Sequence, residues 1–267
     1  MCKQVHDFVD YYVQRALKVY EAEKTKPEED GKKRYVFLEA LAADTQDPLE
    51  LRYELLNILL AGRDTSASML GWLLLLLVKN PDKFEKLRST VIEHFGTYNQ
   101  PKNLSFTGLK DCSYLQHTLS ETLRLYPLVP MNSRRALTAT TLPHGGGSDG
   151  LSPIYVPEGH EVGYSVHIMH RRKDLWGEDA NEFRPERWVG RKPGWEYLPF
   201  NGGSRVCIGQ QLALTNVGFV AVRLLQRFDK IEGIGSHWHN DQWDLEGLTL
   251  INSPGNGVKV RLREARV

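Results

Sequence analysis

The sequence predicts a mainly α fold with small β-sheets. An apolar segment runs over residues 51–78, and an apolar stripe at helical spacing covers 114–126. Short strand-like runs over 136–166, 248–251 and 258–262 are bounded by Gly and Pro. The 267 residues, 41% of them hydrophobic, suffice for a sizeable core. A formal net charge of +1 lacks the basic excess that nucleic-acid binding needs. The three cysteines, Cys2, Cys112 and Cys207, are odd in number and far apart. That pattern fits neither a disulfide framework nor a zinc site, and it suits a reducing compartment.

Residues 6–20 read as an amphipathic helix, and the charged stretch 21–33, with Pro27 and Gly31, reads as a loop. Pro48 suits the first turn of a helix expected over 48–79. Asn80-Pro81 ends it and opens a helix over 82–95, with Gly96 as the C-cap candidate. The run 69–78 is too short for a bilayer, which takes about 20 apolar residues; extending it backwards meets Arg63 and Asp64, so a buried helix is expected. Leu115, Leu119, Leu123 and Tyr126 form one helical stripe that Pro127 ends. The strand-like stretch 136–166 is broken at 143–150. A short helix and turn follow over 166–176, then an irregular but ordered stretch over 179–198, rich in Trp, Pro and Arg. A helix is expected over 207–228, and a hairpin pairing 248–251 with 258–262 about the turn at 254–257. The polar start at residues 1–7 leads to the expectation of no signal peptide, and no repeat or low-complexity tract is seen in residues 1–267.

Residues 200–209 read Phe-Asn-Gly-Gly-Ser-Arg-Val-Cys-Ile-Gly, just before the last helix. A thiolate at Cys207 gains from the free N–H groups and positive dipole end of a helix N-terminus. Gly203 and Gly209 let the backbone turn tightly around the sulfur. The bland alternative is a buried cysteine in a turn. Glu121 and Arg124, at i and i+3, share a helix face, and alone such a pair is a surface ion pair worth less than about 1 kcal/mol. Ala61-Gly-Arg-Asp-Thr-Ser66 interrupts the long apolar segment. Its glycine and threonine hydroxyl weaken a helical ladder and can bend it. The alternative is a helix with a polar face.

These stretches resemble, in order and spacing, the cytochrome P-450 family: A-G-x-D-T-S at 61–66, E-x-x-R at 121–124, F-x-P-E-R-W at 183–188 and F-x-x-G-x-R-x-C-x-G at 200–209. The resemblance implies haem (iron protoporphyrin IX) with Cys207 as axial thiolate. It implies Arg205 on a propionate, Phe200 on the proximal side, and Gly203 and Gly209 beside the sulfur. Arg134, or Arg135 beside it, is implied as a further propionate contact. Glu121, Arg124 and Arg187 are implied as a buried structural triad. Asp64 and Thr65 are implied as a proton relay to oxygen, on a distal helix over 48–79. The implied activity is a monooxygenase acting on a lipophilic substrate with O2, taking electrons from NADPH through a flavoprotein reductase at the cytosolic face of the endoplasmic reticulum membrane.

The substrate would be bordered by the helix near Ala61, the turn 128–132 and residues 248–251. The glycine-rich insert and the segments 177–188 and 199–211 resemble the fungal n-alkane and fatty-acid hydroxylases. The likeness covers nearly all of residues 1–267 but only the C-terminal, haem-binding part of the family's fold. It therefore implies an N-terminally truncated member without membrane anchor. Rival readings are a truncated, non-functional fragment and a haem-thiolate isomerase or dehydratase; members of the latter kind tend to depart from the acid-threonine pair. A third rival is a serine hydrolase built on His144-Gly145-Gly146-Gly147-Ser148, for which Pro143 before and Ser152-Pro153 after the run are unfavourable. His237, His239 and Asp241 are a further metal candidate, with a solvated loop as the alternative.

Overall fold

The computed structural model describes residues 2–24, 35–235 and 246–265. It divides into two compact units, Met1–Asp64 and Thr65–Val267. The first holds α1 (Cys2–Lys24) and α2 (Phe37–Asp44), and the first half of α3 (Pro48–Lys79). Val9, Val13, Ala16, Ala42 and Leu51 form its small core, and Arg52 and Asp10 pair through Nε–Oδ1 at 2.5 Å. Asp47 Oδ1 accepts the Leu49 N–H at 2.9 Å and Pro48 has no N–H to satisfy, so α3 starts there.

The second unit packs the rest of α3 against α4 (Pro81–Phe95), α5 (Phe106–Asp111), α6 (Ser113–Leu125) and α9 (Gln210–Arg227). Trp72, Leu73 and Leu77 meet Leu87, Val91, Phe95, Leu115, Leu119 and Val222 in one core. Gly218 of α9 lies under Leu115 and Leu119, so α9 and α6 approach closely. At the end of α4, Gly96 has φ +72° and a Cβ there would sit 2.4 Å from the Gln100 carbonyl oxygen, so glycine is required twice over. The buried Gln226 donates to the carbonyls of Phe95 and Gly96, both at 2.9 Å, and satisfies the C-terminus of α4.

The strands are β1 (Met131–Arg135), β2 (Thr140–Gly146), β3 (Ser152–Val156), β4 (Glu161–Ser165), β5 (Phe228–Gly233), β6 (Glu246–Leu248), β7 (Asn252–Pro254) and β8 (Val260–Glu264). Among the described residues they form four antiparallel pairs, β1–β4, β2–β3, β5–β8 and β6–β7. Between β4 and α9 lie α7 (Val166–Met169), α8 (Lys173–Trp176) and the 3-10 turns Pro185–Trp188 and Gly203–Arg205.

The mainly α class with small sheets holds, but several local expectations change. The last hairpin pairs Glu246↔Pro254 and Leu248↔Asn252, and Val260–Glu264 pairs instead with Phe228–Gly233. The chain leaves α9 directly into β5, whose free edge takes up β8 from across the sequence. The expected turn over 128–132 is already extended at Met131, because β4 offers β1 a complete ladder. Helices α2 and α5 were not legible, since each is shorter than two or three turns and carries little periodicity. The charged stretch expected as a loop is helical up to Lys24, and its remainder lies outside the described residues, as do His237, His239 and Asp241. No helix among the described residues is long and apolar enough to cross a membrane.

Trp72 is fully buried, stacks on Tyr126 at 3.9 Å and donates to the Asn252 carbonyl at 3.3 Å. Trp72→Ala is expected to destabilise the chain by about 3–5 kcal/mol, read as a lowered midpoint in a urea melt.

Candidate functional site

The loop 200–209 is held from several sides. The Cys207 N–H donates to the Phe200 carbonyl at 2.9 Å, closing the loop on itself. Gly203 has φ +69°, a left-handed turn that a side chain would strain. A Cβ at Gly202 would lie 2.7 Å from the exposed Trp195 ring, which would have to shift to admit it. A Cβ at Gly209 would meet only the Cys207 Sγ, at 3.9 Å, so glycine there keeps the sulfur accessible. Asn201, at φ +66°, accepts at Oδ1 from the Gly202 N–H (3.1 Å) and from the Tyr164 hydroxyl (2.7 Å). The last helix begins at Gln210, not at Cys207, so the sulfur stands in the turn just ahead of it.

Cys207 is exposed, whereas Cys112 is buried, and burial pushes the Cys112 thiol up. Val206, Ile208 and Leu212 around the sulfur are exposed apolar residues, Ile208 at 84%. Phe200 packs on the main core, and Arg205 is exposed. Among the described residues no three His, Cys, Asp or Glu side chains gather as a metal site. A single accessible thiol edged by apolar side chains suits a metal that arrives with its other ligands in a flat apolar ring. The residues therefore fit haem.

Behind the loop lies a buried charge cluster. Glu121 accepts from Arg124 Nε and Nη2, both at 2.9 Å, from Arg187 Nε at 3.2 Å, from Trp188 Nε1 at 2.9 Å and from the Arg184 N–H at 3.1 Å. Arg124 also donates to the carbonyls of His170 (2.8 Å), Ala180 (2.6 Å) and Glu182 (3.1 Å). Arg187 donates to the carbonyls of Trp176 (2.7 Å) and Asp179 (2.8 Å), and pairs with Asp179 Oδ1 at 2.9 Å. The two guanidiniums thus supply donors to an irregular stretch whose carbonyls have few ladder partners. The side chains of Glu121 and Arg124 have no solvent exposure.

The remaining sequence candidates are placed elsewhere. Arg134 is exposed on β1, donates to the Ser133 carbonyl at 2.7 Å and lies 5.8 Å from the Tyr164 ring, through which it neighbours Asn201. Asp64 closes the first unit and pairs with Arg63 at 2.6 Å, whose hydrogen bond holds its carboxyl below the usual carboxylate range. Thr65 opens the second unit and is half-buried. The helix expected over 48–79 is present as α3, and the polar stretch 61–66 does not break it. A Cβ at Gly62 would meet nothing within 4 Å, and one glycine inside a long helix weakens it without breaking it.

The hydrolase reading fails on geometry. His144–Ser148 spans the end of β2 and a hairpin turn into β3, with no helix after the serine, and the His144 ring faces the Leu151 carbonyl at 3.2 Å. Such a turn lacks the strained strand-to-helix corner that exposes a nucleophile.

Sequence reasoning missed Tyr164, Asn201 and His170, all of which act on backbone or loop geometry. It also missed Asn252, whose carbonyl accepts from Ser68 Oγ (2.5 Å) and whose N–H donates to Leu128 (2.8 Å). Asn252 thereby joins α3, the 127–128 turn and the β6–β7 hairpin within the second unit. An asparagine beside Ser253 and Pro254 carries no signal of this in the sequence.

A thiol presented ahead of a helix, over a buried carboxylate–guanidinium cluster in a mainly α chain, has the form of a haem-thiolate protein. The cytochrome P-450 family model matches residues 1–255, and the chain belongs to that family. A cytochrome P-450 monooxygenase of a Fusarium species is 56% identical over 261 residues, covering 97% of this chain and 45% of that protein. A cytochrome P-450 monooxygenase of Alternaria solani is 48% identical over 262 residues, 95% of this chain and 46% of that protein. Cytochrome P-450 52A13 of Debaryomyces hansenii is 50% identical over 234 residues, 86% of this chain and 44% of that protein. The chain spans about half the length of the curated relatives it matches.

Glu121→Ala leaves Arg124 and Arg187 buried without their shared carboxylate. Loss of one member of such a cluster costs about 3–5 kcal/mol. Soluble yield and the thermal midpoint are expected to fall together; a variant with wild-type stability would show the cluster to be dispensable for folding.

Proposed function

We propose that this chain is the haem-binding part of a monooxygenase that inserts one oxygen atom of O2 into a lipophilic substrate. Cys207 carries the proposal: it is an accessible thiol in a glycine turn ahead of a helix, edged by apolar residues. When bound, haem would supply the iron that activates dioxygen, and a thiolate ligand would make that iron electron-rich. Cys207 would supply the thiolate. Arg205, exposed on the same loop, hydrogen-bonds a propionate, with Arg134 as a second contact. Phe200 limits water behind the sulfur.

Asp64 and Thr65 hold and pass protons to the reacting oxygen. Asp64 is ion-paired with Arg63, so its part in a relay requires it to turn away from that guanidinium. Each hydroxyl formed consumes one O2, two electrons and two protons and releases one water; NADPH supplies the electrons through a flavoprotein reductase.

The finer reading is hydroxylation of alkanes or fatty acids at the chain terminus, at the cytosolic face of the endoplasmic reticulum membrane. The likeness of segments 177–188 and 199–211 to the fungal n-alkane and fatty-acid hydroxylases supports it. A second reading, that these 267 residues alone hold haem weakly, has one observation in its favour. Leu49, Tyr53, Leu59 and Leu60 of α3 stand exposed, an apolar face of the kind that usually has a partner.

Four variants test the site. Cys207→Ala in haem-loaded protein is expected to abolish the red-shifted Soret band of the ferrous–CO form, whereas Cys112→Ala keeps it. The opposite result would move the ligand to Cys112. Haem bound well below one per chain in the wild type would favour the second reading. Thr65→Ala is expected to keep haem and substrate binding but to divert electrons to peroxide; unchanged coupling in both Thr65→Ala and Asp64→Asn would end the relay.

A further inference from the structure

His170, directly after α7, is fully buried. Its ring lies 5.2 Å from Tyr197, near-parallel at 29°, and 6.2 Å from Trp176 at 73°. The Leu198 N–H donates to His170 Nε2 at 2.9 Å. An amide N–H can only donate, so Nε2 carries no proton. His170 Nδ1 lies 3.2 Å from the Arg124 carbonyl oxygen, which can only accept, so a neutral ring has its proton on Nδ1. Two backbone groups therefore fix one tautomer. The His170 carbonyl in turn accepts from Arg124 Nη1 at 2.8 Å, which ties this residue to α6 twice.

The connection continues into the cysteine loop. The Leu198 carbonyl accepts from the Asn201 N–H at 3.2 Å, and the adjacent Phe200 carbonyl accepts from the Cys207 N–H at 2.9 Å. Every step is a backbone group of the loop except the first, which is an imidazole. Nothing in the family's sequence pattern at 200–209 includes position 170.

We propose that His170 is a positioning residue for Cys207: its unprotonated Nε2 anchors the Leu198 N–H and so sets how the chain enters the cysteine loop. This rests on Cys207 being the axial ligand. Protonation turns Nε2 into a donor facing a donor, so the anchor fails in acid. The charged or titratable groups around the ring are Arg124 with its partner Glu121 on α6, His167 on α7 and the stacked Tyr197, whose hydroxyl donates to the Ser120 carbonyl. Burial, and then the charges of Arg124 and His167, push His170 down to about 4, against the hydrogen bond with the Arg124 carbonyl. An unfolded histidine titrates near about 6.5. The anchor is thus at full strength above pH 6.5 and is lost as pH falls from there through about 4.

The test uses the whole chain, without haem and haem-loaded, with two variants. His170→Phe keeps a ring and removes the acceptor; His170→Gln keeps an acceptor oxygen and cannot titrate. The first readout is amide hydrogen exchange at Leu198 in the haem-free chain, with the Gly177 amide, bonded to the Lys173 carbonyl, as control for global loosening. The second is the fraction of the ferrous–CO form showing the thiolate Soret band. In His170→Phe the Leu198 amide is expected to exchange about tenfold faster, the effect of one lost hydrogen bond, with Gly177 unchanged and the thiolate fraction lowered. His170→Gln is expected to retain most of both, and to lose the acid-induced opening of Leu198 that the wild type shows between pH 6.5 and 4.

Equal Leu198 exchange in wild type and His170→Phe overturns the proposal. If His170→Phe loosens both amides, His170→Gln decides: acid opening of Leu198 over the same pH range as in the wild type overturns the proposal, and its loss supports it. Faster Leu198 exchange with an unchanged thiolate fraction also overturns it, because the anchor would then not reach the sulfur. A wild type with no thiolate band at neutral pH refutes the ligand reading instead, and with it the step from Leu198 to Cys207.

Discussion

Glu121 is a carboxylate with no exposed surface, and the second unit is arranged around keeping it satisfied. A buried charge is tolerated only when paired and fully hydrogen-bonded. Here Arg124 meets it edge-on from the same helix, and Arg187, Trp188 and the Arg184 N–H approach from the 3-10 turn that follows α8. Arg187 is balanced in turn by Asp179, which also pairs with the Arg184 guanidinium, so three guanidiniums face two carboxylates. The remaining donors of both arginines close on backbone carbonyls between His170 and Glu182. That stretch has few ladder bonds of its own, and the cluster stands in for the missing secondary structure.

The cysteine loop depends on that arrangement at one remove. It is a short irregular segment between the aromatic group of Trp176, Trp188 and Tyr197 and the first turn of α9. Tyr164 holds Asn201 and His170 holds Leu198, while the glycines give the loop its turn and leave the sulfur open. A ligand to a metal must be stiff in position but exposed in space. Here stiffness comes from the hydrogen bonds that hold Leu198, Asn201 and Cys207, while the loop's outer side chains, Arg205, Val206 and Ile208, stay exposed.

The packing of α6 on α9 completes the frame. Gly218 admits Leu115 and Leu119, so the helix bearing Glu121 and the helix following Cys207 lie in direct contact. A Cβ at 218 would lie 3.7 Å from both leucines, ordinary van der Waals contact, so an alanine fits there and only bulkier side chains would press on the α6–α9 seam. The chemistry of the site thus rests on ordinary apolar packing as much as on its polar residues.

Much of this was legible in the sequence. Apolar periodicity and the Pro and Gly punctuation marked α3, α4, α6 and α9, because those helices are long and bury one face. The motifs marked the family through their combined order and spacing, because E-x-x-R or A-G-x-D-T-S alone also occurs in ordinary helices. The i, i+3 spacing placed Glu121 and Arg124 on one face, but a surface ion pair has the same spacing, and only packing decides that this face is dry. The pairing of β8 with β5 was not legible, since sequence neighbourhood favours the nearer hairpin while free strand edges decide the real one. His170 is one of nine histidines and matches no motif. Its role is set by two backbone groups, at Arg124 and Leu198, that come together only when the chain folds; residue types and spacings carry the chemistry a side chain can do, and tertiary structure alone decides which backbone atoms it meets.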